Sequence, residues 1–197
     1  MTHAPAKRLP AEARRQAVLD TACRVFSRSS YRGATTAEIA REAGISEPIL
    51  YRHFGSKREL YLACVDEAWA SFRVICEEAI AADPDQCLGA IADAYMAKSR
   101  KIRVIDLWIQ ALNEVADDKV IATAVRRQIR EVHDFFADVI EDGQRRGVVH
   151  ADRDAQAEAW IFVAGGLLAT IDSRLGGLLG GDLRRVRASR QAWMTAS

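Results

Sequence analysis

Apolar residues recur every three or four positions through almost the whole chain, which is the period of a helix packed on one face. Val18, Ala22, Val25 and Phe26 fall at i, i+4, i+7 and i+8 and predict a first helix over 11–29. Tyr31, Arg32 and Gly33 break it. Thr35 and Glu38 then have the spacing of a capping box, opening a short second helix with Ile39, Ala40 and Ala43 turned inward. Gly44 can take the left-handed turn that stops a helix, Ile45 plugs the turn into the core, and Ser46 can cap a third helix over 46–54. Pro48 falls in the first turn of that helix, where its missing N–H does no harm. Leu50 and Phe54, four apart, make the inner face, leaving Glu47, Ile49, Tyr51, Arg52 and His53 largely outside.

A second capping box, Ser56 with Glu59, opens a fourth helix that Asp83 and Pro84 stop. Such a helix would be roughly 40 Å long, enough to bridge two domains. Further helices are predicted over about 85–99, 102–115, 118–146, 154–178 and 183–194, with Gly147, Gly176, Gly177, Gly180 and Gly181 at the breaks. Only four prolines occur in 197 residues and β-branched runs are few, so the expected fold class is all-α. The pattern divides it into an N-terminal three-helix helix-turn-helix domain with a basic arm at 1–58, and a C-terminal helical domain at 59–197, joined by the long helix.

Charge sharpens this division. The chain carries +1 overall, but residues 1–60 hold 11 Lys or Arg against 6 Asp or Glu, net +5, and the rest hold 17 against 21, net −4. The basic excess therefore sits with the helix-turn-helix pattern, as a polyanion partner would require. The longest apolar run, residues 159–171, falls short of the roughly 20 needed to span a bilayer, and no apolar stretch follows the basic N-terminus, so a cytoplasmic protein is expected. Cys23, Cys64, Cys76 and Cys87 lack metal or redox spacing and the four histidines are isolated, so neither a metal nor a cofactor is expected.

The string ATTAEIAREAGISEPILYRHFGSKREL closely resembles the DNA-binding signature of the TetR family of bacterial regulators. The resemblance covers about residues 12–65. It implies that Thr36, Tyr51 and Lys57 reach phosphates, and that the stretch Ser46, Glu47, Pro48, Ile49, Tyr51, Arg52, His53 faces base edges. Residue chemistry agrees: a cation and free N–H groups at a helix start suit phosphate, and Arg52 is equipped for bidentate readout of guanine. His53 suits phosphate or base, and Ile49 a thymine methyl. Glu47 fits less well against DNA, and its role stays open between a cytosine amine and the helix N-terminus. Pro48 and Ile49 depart from the glycine and small residues common in the family, which puts the operator sequence in doubt.

The resemblance further implies a C-terminal domain that dimerises through its last two long helices and holds an effector. Residues 159–171 are apolar on every side, and Phe162, Gly165, Gly166 and Ala169 are the expected dimer contacts. Trp69, Phe72, Tyr95, Trp108, Asn113, Phe135 and Trp160 are the expected pocket residues, aromatic lining with a polar anchor. Arg103, Asp106, Gln110 and Asn113 form one helical stripe that reads as a solvated face. The favoured function is a sequence-specific transcription regulator, a repressor released from a palindromic operator by a small, mainly apolar ligand. The alternatives are a ligand-independent architectural DNA-binding protein and a small all-helical enzyme, for which no nucleophile, metal set or phosphate loop is recognisable.

Overall fold

The computed structural model describes residues 11–98, 102–112 and 114–195. Among them are nine α-helices and no strand: α1 Ala11–Arg28, α2 Thr36–Glu42, α3 Glu47–His53, α4 Lys57–Ala82, α5 Cys87–Lys98, α6 Val104–Ala111, α7 Lys119–Arg145, α8 Ala155–Arg174 and α9 Asp182–Met194. No helix among the described residues is long and apolar enough to cross a membrane.

The N-terminal boundaries follow local chemistry. Thr35 accepts the Glu38 N–H at 3.0 Å and Ser56 accepts the Glu59 N–H at 3.1 Å, so both capping boxes form on their serine or threonine side. Between α2 and α3, Gly44 has φ +68°, its N–H bonds to the Arg41 carbonyl, and the Ile45 N–H bonds to the Ala40 carbonyl at 3.0 Å. This pair of bonds closes the helix in a Schellman turn, which needs the left-handed residue that glycine supplies without strain.

Ser46 does not cap α3 through its side chain as the sequence suggests. Pro48 has no N–H to offer, and the Ile49 N–H bonds instead to the Ser46 main-chain carbonyl at 2.9 Å. The first turn is thereby tightened rather than capped.

Buried apolar side chains form one cluster running from Val18 on α1 to Met194 on α9. In the N-terminal half, Val18, Ala22, Val25 and Phe26 meet Ile39, Leu50, Phe54, Leu60 and Tyr61, with Phe26 and Tyr61 edge to face at 5.0 Å. Cys23 and Cys64 donate to the Cys64 and Leu19 carbonyls across the α1–α4 contact, and burial holds the Cys64 thiol well above its ordinary value. The far half of α4 packs on α5 and α7, and α7 packs lengthwise on α8.

Two predicted helices are shorter than expected. α6 ends at Ala111, and turns at 114–117 replace its last part. α8 ends at Arg174, where Gly176 and Gly177 both take positive φ. The α6 stripe read as solvated is a seam between elements. Arg103 donates to the Ser27 hydroxyl at 2.9 Å, and Asp106 accepts from Arg174 of α8 at 2.6 Å. The reason is the approach of the α1 C-terminus and the α8 C-terminus on either side of α6, which no period in α6 itself reveals.

Candidate nucleic-acid interface and cavity

α3 is anchored from beneath. Leu50 and Phe54 are buried, while Pro48, Tyr51 and Arg52, at i, i+3 and i+4, stand exposed on the opposite face. Ser46 is exposed as well, and Ile49 and His53 are half-buried along the side. Arg52 makes no ion pair with any described residue.

Thr36, Glu47 and Tyr51 come together. The Thr36 hydroxyl donates to a Glu47 carboxylate oxygen, and the Tyr51 hydroxyl lies 3.1 Å from the Thr36 oxygen. A threonine hydroxyl has one proton, so with that proton on Glu47 the Tyr51 hydroxyl is the donor of the second bond. The clasp joins the first turn of α2 to the first turn of α3 and to its outer face. This gives Glu47 a contact the sequence does not suggest: it meets Thr36 from the first turn of the helix it begins. Thr36 is buried rather than presented, and Tyr51 must turn its hydroxyl outward to donate to a phosphate.

Lys57, in the first turn of α4, is half-buried with its ammonium 4.7 Å from the centre of the Tyr31 ring and 3.4 Å from the Arg32 carbonyl. Burial lowers its pKa, opposed by the nearby Glu114 carboxylate. The cation is thus held at the start of α4 by a ring and a carbonyl.

The C-terminal half encloses a cavity of about 190 Å³. α4 contributes Phe72, α5 Tyr95, α6 Ile105 and Trp108, α7 Phe136, and α8 Phe162. Of the predicted pocket residues, Phe72, Tyr95 and Trp108 line it. Trp69, buried, and Phe135, half-buried, meet edge to face at 5.5 Å behind Phe72, and neither lines the cavity. Trp160 is exposed at the start of α8, stacked on His133 at 4.2 Å. Asn113 lies outside the described residues. Phe162, Gly166 and Ala169, predicted at the dimer interface, face the cavity within the chain: a Cβ on Gly166 would stand 2.9 Å from Ile105. Gly165 is exposed and also borders the cavity. α9, expected from the resemblance as a dimer helix, also supplies a wall that its mostly polar sequence does not announce: Leu183, Val186, Arg187 and Arg190 close the site.

Among the described residues no three His, Cys, Asp or Glu side chains gather where they could hold a metal ion. The arrangement is that of a helix-turn-helix protein with a cavity-bearing helical body.

Comparison with known proteins agrees with that class. Residues 18–64 match the model of bacterial regulatory proteins of the tetR family, and residues 84–172 match the BetI-type transcriptional repressor C-terminal model, so that together the two span most of the chain. The chain belongs to the TetR family. It is similar to the HTH-type transcriptional activator FasR of Mycolicibacterium smegmatis, 52% identical over 56 residues that cover 28% of this chain and 26% of FasR. It is also similar to the HTH-type transcriptional regulator BetI of Rhizobium meliloti, 36% identical over 104 residues, 51% of each chain. The matches thus span about half or less of these relatives. A TetR-family regulator from Agrobacterium tumefaciens has the same fold, with a TM-score of 0.78 over 94% of this chain and 99% of that one, at 21% identity.

Proposed function

We propose that this chain is a cytoplasmic, sequence-specific DNA-binding transcription regulator, a dimeric repressor whose hold on a palindromic operator weakens when a small, mainly apolar molecule fills the cavity. It is not an enzyme. The observation that carries this reading is α3: its inner face is locked by Leu50 and Phe54, and its outer face offers Pro48, Tyr51 and Arg52 to a partner. The division into a DNA-binding part, 1–58, and an effector and dimer part, 59–197, follows the two sites. The cavity favours this reading over a DNA-binding protein without a ligand.

The dimer face is assigned to the outer side of α8. Ile161, Ala164, Gly165, Leu168, Ile171 and Leu175 are spaced by three and four, and all but the half-buried Leu168 are exposed. A second copy packing on this stripe would bury apolar surface that now meets water, next to the cavity edge at Ile161 and Gly165.

α6 supports a route between the sites. Ile105 and Trp108 face the cavity, the Leu107 carbonyl accepts the Tyr61 hydroxyl at 2.7 Å, and Arg103 bonds Ser27 at the end of α1. Just beyond it, Glu114 and Asp117 pair with Arg32, and Asp118 pairs with Arg58 at 3.2 Å. A ligand that displaces α6 moves the surface on which α1 and the start of α4 rest.

Titration of duplex DNA by fluorescence anisotropy tests the interface. Lys57→Ala is expected to weaken binding to all sequences and to lower the salt slope by about 1, the signature of one lost phosphate contact. Arg52→Ala is expected to cost about 1–3 kcal/mol at particular base pairs and little elsewhere. Unchanged affinity and base preference in Arg52→Ala would remove Arg52 from the interface.

A further inference from the structure

The cavity sorts ligands by charge and by hydrogen-bond direction. Its lining is apolar apart from a polar edge where exposed Asp85 and Gln191 mark the mouth. Each charged side chain there already has a partner. Asp85 accepts from Arg146 at 2.9 Å, Arg187 pairs with Asp93, and Arg190 pairs with Glu158, which also accepts the Trp193 indole N–H at 3.0 Å. These three pairs sum to zero. A ligand bringing one more charge into the apolar interior leaves it uncompensated, at a cost that a neutral head group avoids.

Inside, the hydrogen bonds have a fixed direction. The Thr170 hydroxyl donates to the Gly166 carbonyl at 3.0 Å, so its single proton is used. The Tyr95 hydroxyl, 2.6 Å from the Thr170 oxygen, must therefore donate to it. This leaves lone pairs on the Tyr95 oxygen and no proton to give. Burial raises the pKa of this hydroxyl, so it stays neutral. The other polar group on the aromatic wall, the Trp108 indole N–H, is spent on the Gln128 side chain at 2.6 Å. Tyr95 thus lines an apolar chamber with acceptor capacity and no free proton, and the ligand group that matches it is a donor.

We propose that the effector is an uncharged, mainly apolar molecule bearing one hydroxyl, an alcohol or phenol, which donates to the Tyr95 oxygen; this rests on the cavity being the effector site. Its size follows from the space. A 150 Å³ apolar cavity takes benzene, so about 190 Å³ admits a body of about eight non-hydrogen atoms.

Four probes of about eight or nine non-hydrogen atoms decide it by calorimetry on the full chain: 1-heptanol, its isomer 1-methoxyhexane, heptylamine and heptanoate. 1-Heptanol is expected to bind at least about tenfold more tightly than either ion, and about fivefold to tenfold more tightly than the ether, which accepts but does not donate. Tyr95→Phe should bring 1-heptanol down to the level of the ether and leave the ether unchanged. Thr170→Val, which removes the acceptor of the Tyr95 proton and frees it for a ligand, should raise ether affinity. Heptanoate or heptylamine binding as tightly as the alcohol overturns the charge argument. An alcohol affinity untouched by Tyr95→Phe overturns the pairing. If none of the four binds, the cavity is not an effector site and the proposal falls with that reading.

Discussion

Ile171→Asp will turn the dimer into a monomer and lower operator affinity by about 10²–10⁴-fold, the range lost when two linked binding events become one. Ile171 is 43% exposed in the single chain and lies in the outer α8 stripe with Ile161 and Leu175. An aspartate there costs the monomer little, because it meets water, but in a packed interface it is a buried charge facing its own symmetry mate. Helix-turn-helix dimers place their two recognition helices one helical turn of DNA apart, so a monomer keeps one half-site only. Val74→Asp is the matched control: Val74 is as exposed, on α4, away from the stripe. Light scattering at low micromolar concentration should give one chain's mass for Ile171→Asp and two for Val74→Asp. Two chains' mass for both would move the interface elsewhere. A charge at Gly166 is unsuitable for this test, since its Cβ would collide with Ile105 inside the chain and disturb the fold itself.

Saturating the cavity will weaken operator binding about 100-fold, which needs a preference of about 2.8 kcal/mol for the arrangement that does not bind. That lies within ordinary coupling energies. The same factor must appear in reverse, with operator DNA weakening ligand binding about 100-fold. Arg32 marks the route. It joins the helix-turn-helix half to the turn after α6 through Glu114, at 3.0 Å, and Asp117, while its own side chain stays 65% exposed. Arg32→Ala would strand the buried Glu114 carboxylate, whereas the Arg32–Asp117 pair is exposed on both sides, so Asp117→Ala should leave the melting temperature within a few degrees while reducing the coupling. A compound chosen for raising the melting temperature, titrated with and without operator, gives both numbers. Equal operator affinity at zero and saturating compound would abolish the coupling.

The elements legible in the sequence were those written in local chemistry. Thr35 with Glu38, Gly44, and Ser56 with Glu59 fix three helix boundaries within a few residues of chain, and the structure puts hydrogen bonds or a positive φ at each. What stayed hidden depends on neighbours distant in sequence. Glu47 meets Thr36 only because α2 and α3 cross, and Asp106 meets Arg174 only because α8 ends beside α6. α8 was ambiguous for a different reason. A helix apolar on every side has no polar face to say which flank lines a cavity and which meets a partner. Phe162, Gly166 and Ala169 line the cavity in the structure, and its polar edge joins Arg187, Arg190 and Gln191 of α9 to Asp85 and Glu158 from elsewhere in the chain, a meeting that the charges of α9 do not announce. Trp69 and Phe135 look the same in sequence as Phe72, yet they pack edge to face behind it, since aromatic residues at helical spacing serve core and cavity alike.

Selection from a random DNA pool at physiological salt tests whether α3 reads a two-fold duplex. The expected result is enrichment of a palindrome whose half-site centres lie about 10 base pairs, or a multiple, apart, bound at least about 10³-fold more tightly than a scrambled duplex. Reversing one half-site should then remove most of that preference. A pool that shows no enrichment, or a selected duplex bound no better than its scrambled version, would contradict it.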